Sequence, residues 1–476
     1  MNAFSIKDLA AVIKAQALCD SGHQSRAANH VPSFVGVSTD SRTVKAGDCF
    51  FAIAGDNFDG HDYLGDAFAK GAACAVIERD IDVEEFAGKC VLKVRDTIEA
   101  LGDFAREYRR RAGFKVVAIT GSAGKTTTRQ IVYHALRRKF RVYQSPKSFN
   151  NKIGLPLTLL GAGPDVEIVI AELGSNHPGE IVHLTRIAEP DVAVVTNVYP
   201  AHLEGFADLQ TIAAEKSAVA EGLRPDGVLI INAECDILVQ TCRAGGMKFL
   251  TFGKSDGSDF RVENVRSDGL TGWFTIESVE VYLPLPGQGN IENALAAWAV
   301  CSRFGVEARD FAQAVKTLPS VSMRTEILQA GTLTILNDCY NANPASMKNA
   351  LEILAGIDPA GGRRLVFICG EMAELGEQSE ELHAELGAFI AGAKVQLLLA
   401  VGKLAKVTAE SARANAQRDL QIKYFEDTPS ACNKLHEFIR DYDIILVKGS
   451  RTAKLETAVE KLKELFVEES VLSRDV

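Results

Sequence analysis

Short apolar runs alternate with helix-period segments along almost the whole chain. Runs such as DCFFAIAG at 48–55 and CAVIE at 74–78 are nearly continuous in apolar residues and predict buried strands. The segment DYLGDAFAKGA at 62–72 spaces its apolar residues three or four apart and predicts a helix. The first 110 residues therefore predict a small α/β domain. It closes with the basic run FAREYRRRAG at 104–113, which we interpret as a solvated helix face.

The second stretch, residues 111–320, predicts a mostly parallel sheet. Its apolar runs lack polar alternation, which is typical of strands covered on both faces. Residues 259–284 change to the alternation of a β-ribbon, and NIENALAAWAVCSRFG at 290–305 predicts a helix. The sheet strands are expected in FKVVAIT (114–120), IVIAEL (168–173), DVAVVTNV (191–198), GVLIINA (227–233) and KFLTFG (248–253).

The third stretch, residues 321–476, repeats strand and helix with short links. This alternation predicts a doubly wound, Rossmann-like domain, with helices expected near 379–392 and 428–440. The predicted fold class is thus α/β in three domains: a small N-terminal α/β domain, a central P-loop-type domain with a mostly parallel sheet and a β-ribbon excursion, and a C-terminal doubly wound domain. Their predicted bounds are 1–110, 111–320 and 321–476.

Composition narrows the class of protein. The chain has 476 residues, 47% of them hydrophobic and 24% charged, which excludes a wholly disordered or collagen-like protein. Its net charge of -10 gives no general attraction for nucleic acid or anionic lipid, so we expect neither as a partner. The start predicts no signal peptide, and no apolar run has the ~20 residues of a membrane span. Ten cysteines without metal spacing predict reduced thiols in a cytoplasmic protein rather than a disulfide-stapled secreted domain. Nothing in the sequence demands more than a monomer.

A glycine-rich loop at 121–127 is the most informative segment. A strand-forming run ends at Thr120, and Gly121-Ser122-Ala123-Gly124 leads into a helix opened by Lys125-Thr126-Thr127. Such a loop lets backbone N–H groups surround phosphate oxygens, while the lysine offsets their charge and the threonine hydroxyl can bind Mg²⁺. The spacing G-x-x-G-K-T is two residues shorter than the standard nucleotide loop. A glycine-rich turn that only caps a helix is the competing interpretation.

Two residues after neighbouring strands are candidate metal ligands. Glu172 ends the strand IVIAEL, and His202 follows the next strand in NVYPAHLEGF. The carboxyl ends of parallel strands face the ligand crevice of an open α/β sheet, so both side chains are expected on one edge. A solvated strand-end glutamate and a surface loop histidine are the alternatives.

Lys216 lies on the apolar stripe of its helix. In DLQTIAAEKSAVAEGL it follows Ile212 by four residues and precedes Val219 by three. A buried ammonium is costly unless it is paired or chemically altered. One interpretation is a lysine that CO₂ converts to a carbamate, which reverses its charge and makes it a cation ligand. The other is a lysine whose head reaches solvent at the edge of the stripe.

Together these residues resemble the Mur ligases, ATP-dependent amide-bond-forming enzymes of peptidoglycan precursor synthesis. The loop ITGSAGKTT, Glu172, His202 and Lys216 stand in that family's order and spacing, and the similarity runs over essentially the whole chain. The tract YNANP resembles the family member that adds a dipeptide and differs from those that add earlier residues. Further matching segments are SFNNKIGLPLTLL (148–160), AHLEGF (201–206), NDCYNANPASM (337–347), ICGEMAELGE (368–377) and LVKGSR (446–451).

The resemblance implies specific substrates and roles. The substrates would be ATP, UDP-N-acetylmuramoyl-tripeptide and D-alanyl-D-alanine, joined through an acyl phosphate, with Mg²⁺ at two sites. The catalytic residues would be Lys125, Lys216, His202 and Glu172, and the metal ligands Thr126, Glu172, His202 and Lys216 as its carbamate. ATP would contact Thr120, Gly121, Ser122, Ala123, Gly124, Lys125, Thr126, Thr127 and Asn293. The other substrates would contact Thr39, Asp40, Ser41, Arg42, Asn150, Asn151, Asp338, Tyr340, Asn341 and Asn343, with the DGH tract (Asp59 to His61) beside the UDP-sugar.

Some positions depart from the family pattern, and other activities stay open. Gly289 stands where relatives often have histidine, and Asn337 and Cys339 replace the usual Asp and Ser around Asp338. The alternatives are a Mur-type ligase that adds the third stem residue, a folylpolyglutamate synthetase-like ligase, and an ATP-hydrolysing switch or motor. YNANP argues against the first and the TDSR and DGH tracts against the second. A switch has no obvious use for Lys216 on an apolar stripe.

Overall fold

Three mainly parallel β-sheets, each covered by helices, follow one another along the chain. This is the three-domain α/β architecture that the hydrophobic pattern predicts, including the central parallel sheet with its β-ribbon and the C-terminal doubly wound sheet. The computed structural model describes residues 1, 3–18, 32–82, 84–146, 148–201, 203–357 and 362–472.

The N-terminal sheet has five strands in the order β2-β7-β6-β5-β4, all parallel except β2, and a separate antiparallel pair joins β1 to β3. Its strands β5 and β6 are fully buried and β7 mostly so, whereas β2 at the edge is exposed. The elements are β1 (Phe4–Ser5), α1 (Ile6–Val12), β2 (Gln16–Ala17), β3 (Ser33–Phe34), β4 (Gly36–Ser38), β5 (Asp48–Phe51), α2 (Leu64–Ala69), β6 (Cys74–Ile77), β7 (Val91–Lys93) and α3 (Thr97–Ala112).

Helix α3 joins the N-terminal and central domains. Its Phe104 packs among the rings of Phe4 and Phe34, while the hydroxyl of Tyr108 donates to the carbonyl of Ala162 at 2.8 Å. The prediction of a solvated basic face is wrong for Arg109, which is only 1% exposed. Its guanidinium is buried because it donates to carbonyls at the end of a central-domain helix, where a positive charge is favourable.

The central sheet has seven parallel strands in the order β14-β13-β12-β11-β8-β10-β9. The strand order reverses around β8, which places a ligand crevice at its carboxyl end. The elements are β8 (Lys115–Thr120), α4 (Lys125–Leu136), β9 (Val142–Gln144), α5 (Gly154–Gly161), β10 (Ile168–Glu172), α6 (Glu180–Ala188), β11 (Val192–Val195), α7 (Leu209–Ser217), β12 (Val228–Asn232), α8 (Asp236–Ala244), β13 (Leu250–Gly253) and β14 (Phe260–Arg261).

An antiparallel ribbon and two helices complete the central domain. Residues 260–261, predicted within the ribbon, instead extend the parallel sheet at its edge. The ribbon and helices are β15 (Glu263–Ser267), β16 (Gly272–Ile276), β17 (Val279–Leu283), α9 (Gln288–Arg303) and α10 (Ala308–Val315). Helix α9 is mostly buried, because its own Ala, Leu and Trp side chains point in all directions around the helix axis.

The C-terminal sheet has the order β18-β19-β23-β20-β21-β22, with only β18 antiparallel. The helix expected at 428–440 is divided in two, because the N–H of Lys434 bonds to the carbonyl of Ala431 and tightens the first helix to a stop. The elements are β18 (Glu326–Ala330), β19 (Leu333–Asn337), α11 (Pro344–Gly356), β20 (Leu365–Gly370), α12 (Ser379–Gly392), β21 (Leu397–Val401), α13 (Ala405–Asn415), β22 (Gln421–Phe425), α14 (Thr428–Cys432), α15 (Leu435–Phe438), β23 (Ile444–Lys448) and α16 (Glu456–Leu472).

Membrane-spanning helices and the state of the cysteines can be checked in the described residues. Within them, no helix is long and apolar enough to cross a membrane. The described cysteines are all free thiols and most are buried, in keeping with the prediction of reduced core residues. Cys19 lies outside the described residues.

Candidate active site

A cleft of about 750 Å³ lies between the central and C-terminal domains. It opens at the carboxyl end of β8, at the reversal of strand order, and its opposite wall includes the loop after β19 and part of α11. Most of the predicted site residues line it: Ser122, Ala123, Gly124, Lys125, Thr126, Thr127, Asn150, Asn151, Glu172, Asn293, Asp338, Tyr340, Asn341 and Asn343. Thr120, at the end of β8, and Gly121 lie directly before this set in the chain.

The glycine-rich loop is fixed from behind by the segment after β11. The backbone N–H of Ala123 donates to Asn197 Oδ1 at 2.8 Å, and Thr196 Oγ1 donates to the Ala123 carbonyl at 2.6 Å. Gly124 has φ +81°, and a Cβ there would lie 2.1 Å from Asn293 Oδ1. Only glycine fits this position, because both the backbone conformation and the space exclude a side chain. The conformation of the loop is therefore fixed by Asn293 and by the segment after β11.

Lys125 is the cation of this loop. Its Nζ donates to the carbonyl of Gly121 at 2.6 Å, so the side chain folds back over the loop. Burial lowers the pKa of Lys125 to about 8, against the opposing effect of Glu172, whose negative charge favours the ammonium. An ammonium that is costly to bury gains most when an anion such as a phosphate arrives.

Glu172 lines the cleft at the end of β10 and is 1% exposed. Thr126 Oγ1 donates to its Oε2 at 3.3 Å, and Arg129 Nε lies 2.9 Å from its Oε1. The Arg129 contact lacks hydrogen-bond alignment, and among the described residues Oε1 has no hydrogen-bond donor. Oε2, beside the threonine hydroxyl, fits a hard divalent cation, which prefers oxygen ligands, while Oε1 faces the guanidinium of Arg129.

Lys216 is buried, as its place on the apolar stripe predicts. It is 2% exposed, and Nζ donates to Ser175 Oγ at 2.6 Å. Nζ also lies 5.7 Å from the ring centre of Phe206. Burial, together with the charge of Lys125, lowers the pKa of Lys216 to about 7, while Glu215 acts in the opposite direction. The amine is consequently uncharged in a large fraction of molecules near neutral pH.

The second predicted metal site is only partly described. His202 lies outside the described residues. In the part of the chain that the structure covers, no group of three or more His, Cys, Asp and Glu side chains is arranged to hold a metal ion. The two oxygens of Glu172 and Thr126 therefore carry the fit to a cation.

The C-terminal wall brings together the YNANP tract and a buried ion pair. Asp338 Oδ2 lies 2.6 Å from the Nζ of Lys448, which also donates to the carbonyl of Asn341 at 2.9 Å. The hydroxyl of Tyr340 hydrogen-bonds to Ser148 of the central domain. The guanidinium of Arg324 lies 4.2 Å from the centre of the Tyr340 ring. Polar side chains from both domains thus converge on the cleft.

The asparagines have local structural roles as well. Asn343 caps α11, because its side chain accepts from the N–H of Ser346 at 2.8 Å. Asn151 accepts from the N–H of Gly154 at 2.8 Å at the start of α5. Asn293 donates to Asn290 Oδ1 at 3.2 Å and accepts from Thr128 at 3.3 Å.

The TDSR tract does not reach this cleft. Thr39, Asp40, Ser41 and Arg42 follow β4 in the N-terminal domain and are absent from the cleft lining. Asp40 is paired with Arg42 at 2.8 Å, and hydrogen bonds from Arg42 lower the pKa of Asp40 to about 2. In the DGH tract, His61 Nδ1 lies 2.6 Å from Asp59 Oδ1. Both tracts lie in the N-terminal domain, and neither lines the cleft.

Sequence reasoning missed three charged residues of the cleft region. Arg129 lies one helical turn after Lys125, a spacing that places both on one face of α4. Lys448 ends β23 in the quoted segment LVKGSR, and Arg324 belongs to the linker before β18. The signal for Lys448 was a strand-end lysine, at the same kind of position that singled out Glu172.

Three family models match successive parts of the chain. The Mur ligase family catalytic domain matches residues 33–109, the Mur ligase middle domain 119–301, and the Mur ligase glutamate ligase domain 323–451. A UDP-N-acetylmuramoyl-tripeptide–D-alanyl-D-alanine ligase of Bacillus subtilis (strain 168) is 34% identical over 90% of this chain and 93% of its own. The chain belongs to the Mur ligase family.

Other Mur ligases extend the comparison. The enzyme of the same name from Escherichia coli (strain K12) is also 34% identical, over 90% of this chain and 93% of its own. The crystal structure of MurF from Acinetobacter baumannii superimposes with a TM-score of 0.86 at 28% identity, covering 98% of this chain and 99% of that one. MurF from Thermotoga maritima, solved in complex with ADP, gives 0.79 at 27% identity, covering 91% and 98%.

Proposed function

We propose that this Mur ligase joins D-alanyl-D-alanine to UDP-N-acetylmuramoyl-tripeptide at the expense of ATP, forming the pentapeptide precursor of peptidoglycan. The observation that carries the proposal is the cleft itself, in which a phosphate-type loop with Lys125 faces the Asp338–Lys448 pair across a domain boundary. The names of the relatives that span nine-tenths of the chain support the choice of substrates. Either lysine or diaminopimelate fits the proposal as third residue of the tripeptide.

The reaction needs an activated carboxyl group, because a carboxylate is a poor acyl electrophile. The γ-phosphoryl group of ATP would pass to the terminal carboxylate of the tripeptide, and ADP would leave. The amine of the dipeptide would then attack the acyl carbon, form the amide bond and release phosphate. The backbone N–H groups of residues 121–127 and the ammonium of Lys125 would hold the phosphate oxygens and offset their charge.

Thr126 and Glu172 would hold a Mg²⁺ ion. The ion would neutralise charge on the phosphate oxygens when bound. Thr126 would offer its hydroxyl oxygen and Glu172 the neighbouring Oε2, while Arg129 contacts the other carboxylate oxygen, Oε1, and does not line the cleft. Asn293, beside Gly124, would contact the nucleotide.

Lys216 would act as a carbamate. Carbamylation requires an uncharged amine, and a pKa of about 7 supplies one. The carbamate would hold a second Mg²⁺ together with His202. Ser175 Oγ, now the acceptor for Nζ, can instead donate to a carbamate oxygen because a hydroxyl does both.

The division of work follows the three domains. Residues 1–110 would bind the UDP-sugar through Thr39, Asp40, Ser41, Arg42 and the DGH tract. Residues 111–320 would bind ATP, with Asn150 and Asn151 along the peptide stem. Residues 321–476 would bring the dipeptide to Asp338, Tyr340, Asn341 and Asn343. We further propose that the enzyme is a monomer and works in the cytoplasm, where ATP and the nucleotide-linked substrate are found.

The decisive experiment measures ADP release and the UDP-linked product together. The protein is incubated with ATP, Mg²⁺, UDP-N-acetylmuramoyl-tripeptide and D-alanyl-D-alanine, and each substrate is then omitted in turn. We expect one ADP for each pentapeptide formed and little ADP when either acceptor is missing. ATP turnover that ignores both acceptors would contradict the proposal and favour an ATP-hydrolysing switch.

A second experiment tests the carbamate. Lys216→Ala is expected to lose activity, and a short carboxylic acid is expected to restore part of it by supplying the missing carboxylate. Lys216→Met is the matched control, because its longer side chain fills the space that the acid would need. Full activity of Lys216→Ala without added acid would refute the role.

A further inference from the structure

A continuous chain of hydrogen bonds crosses from the nucleotide side of the cleft to the C-terminal sheet. Thr128 Oγ1 donates to Asn293 Oδ1 at 3.3 Å, and Asn293 Nδ2 donates to Asn290 Oδ1 at 3.2 Å. Asn290 Nδ2 then donates to Thr325 Oγ1 at 3.1 Å. Finally, the backbone N–H of Thr325 donates to Asp338 Oδ1 at 3.0 Å. Thr325 is the residue at which the chain of bonds passes between the domains.

The backbone at Thr325 is strained. Its φ is +46°, in the left-handed region that a β-branched residue rarely adopts, and Met323 nearby has φ +58°. Such conformations persist only where surrounding contacts fix them. At Thr325 the fixing contacts are the bonds to Asn290 on one side and Asp338 on the other. The strain therefore sits in the linker between α10 and β18, where the chain changes domain.

The chain of bonds reaches cleft-lining residues on both walls. At one end, Asn293 Oδ1 occupies the space beside Gly124 of the phosphate loop. At the other, the second oxygen of Asp338 binds Lys448, which in turn holds the carbonyl of Asn341. Thr325 itself lines the cleft. A displacement at this residue would change the spacing between the phosphate loop and the YNANP wall.

We propose that Thr325 is a positioning residue, whose hydroxyl and strained backbone fix the C-terminal wall relative to the phosphate loop. The inference rests on the proposed function, because the distance it sets is that between the acyl phosphate and the incoming amine. Thr325 does not touch the phosphate loop, so removal of its hydroxyl should leave ATP binding intact. It should slow the attack of the amine on the acyl phosphate, because that step needs groups from both walls of the cleft. A residue that only stabilised the fold would lower stability without this split between kcat and KM.

The test compares three variants in the complete protein. Thr325→Val keeps the shape but removes the acceptor for Asn290, and Thr325→Ser keeps the acceptor with a smaller side chain. Thr332→Val is the matched control, because the hydroxyl of Thr332 also forms a side-chain hydrogen bond in the C-terminal domain, as the donor to Asp441, but Thr332 lies outside the cleft lining. For each variant we would measure kcat, the KM values of ATP and the dipeptide, and thermal stability.

We expect Thr325→Val to lower kcat about tenfold, the factor that one lost hydrogen bond supplies, with the KM of ATP unchanged. Thr325→Ser should recover most of kcat, and Thr332→Val should match the wild type. Unchanged kcat in Thr325→Val, or equal loss in Thr325→Ser, would overturn the inference.

Trypsin provides a readout that does not depend on turnover. Arg324 precedes Thr325, and its side chain is held against Tyr340. Loss of the hydrogen bond from Asn290 to Thr325 should therefore speed cleavage after Arg324 in Thr325→Val. A non-hydrolysable ATP analogue is present in both samples. If the wild type forms no pentapeptide, the proposed function fails while this comparison still decides the inference. Equal cleavage rates in wild type and Thr325→Val would overturn it.

Discussion

The Nε atom of Arg129 lies 2.9 Å from Oε1 of Glu172, and both side chains are almost wholly withdrawn from solvent. Arg129 also donates from Nη1 to the carbonyl of Ser145, so its position does not depend on the carboxylate alone. Burial lowers the pKa of Arg129, although Glu172 counteracts that effect and the guanidinium stays charged. The arginine thus compensates a buried carboxylate while leaving one of its oxygens available to a cation.

Removing one partner of this pair should destabilise the protein. In Arg129→Met, Glu172 keeps a buried charge with only Lys125 to offset it, and the loss from a broken buried pair is about 3–5 kcal/mol. Urea unfolding measures the change. The double variant Arg129→Met/Glu172→Gln should recover part of the stability, since neither member of the buried Arg129–Glu172 pair is then left charged without the other. If the double variant is as unstable as the single one, the destabilisation comes from packing rather than charge.

Gly124→Ala should impair ATP binding specifically. The added Cβ would meet Asn293 Oδ1 at 2.1 Å, so the loop must shift and its N–H groups no longer converge. We expect the KM of ATP to rise by at least about tenfold, equivalent to ~1.4 kcal/mol of binding. Gly113→Ala is the control, because Gly113 has φ +73° and no atom within 4 Å of its Cβ position. An equal rise in Gly113→Ala would show that backbone strain, not the clash, is responsible.

Lys216 should make stability depend on pH. Its folded-state pKa of about 7 lies below the ordinary value of 10.5, so the unfolded chain binds more protons between these pH values. Stability should therefore rise with pH from about 7 towards 10.5, by up to ~1.4 kcal/mol per pH unit, and be lowest below pH 7. Unfolding free energies measured without CO₂, relative to Lys216→Met, isolate this contribution. If the difference in unfolding free energy between the two proteins does not change with pH, the lowered pKa of the buried Lys216 amine is contradicted.

His383 should make stability depend on pH in the acidic range, below the range in which Lys216 acts. It is fully buried in α12, where Nε2 accepts from the N–H of Met372 at 3.0 Å and Nδ1 faces the carbonyl of Ser379. Burial lowers its pKa, so the unfolded chain takes up the proton more readily and stability falls as pH drops below 6.5. His383→Gln keeps an acceptor for Met372 but does not titrate, and should remove that part of the acid loss. No difference between the two proteins from pH 7 to 5 would contradict it.

The sequence was most informative where a pattern of residues has a single physical interpretation. Continuous apolar runs located the strands, because a parallel sheet covered on both faces excludes polar side chains. The loop around Lys125 and the burial of Lys216 followed in the same way from local spacing. Arg109 was misjudged, since its neighbours Arg110 and Arg111 are exposed, whereas Arg109 bonds to the carbonyls at the end of α6 and pairs with Asp191.

Contacts between distant segments could not be read from local patterns. The Asp338–Lys448 pair joins residues from β23 and from the segment after β19, which are neighbours only because the strand order is not sequential. The left-handed backbone of Thr325 is equally hidden, because nothing in MRTEI marks a positive φ and threonine argues against one. Such features depend on tertiary contacts that over-determine a local conformation.

The apolar packing around α3 has a consequence for how the molecule unfolds. One hydrophobic cluster runs from Phe4 and Phe34 through Phe104 to Val116 and Leu155 without interruption, whereas the clusters around Leu336 and Ile445 belong to the C-terminal sheet. Three sheets thus correspond to two cooperative units, because the first two cannot separate without exposing the shared side of α3. Denaturation should accordingly show two transitions rather than three, and amides of the N-terminal strands should exchange together with those of β8 and β10.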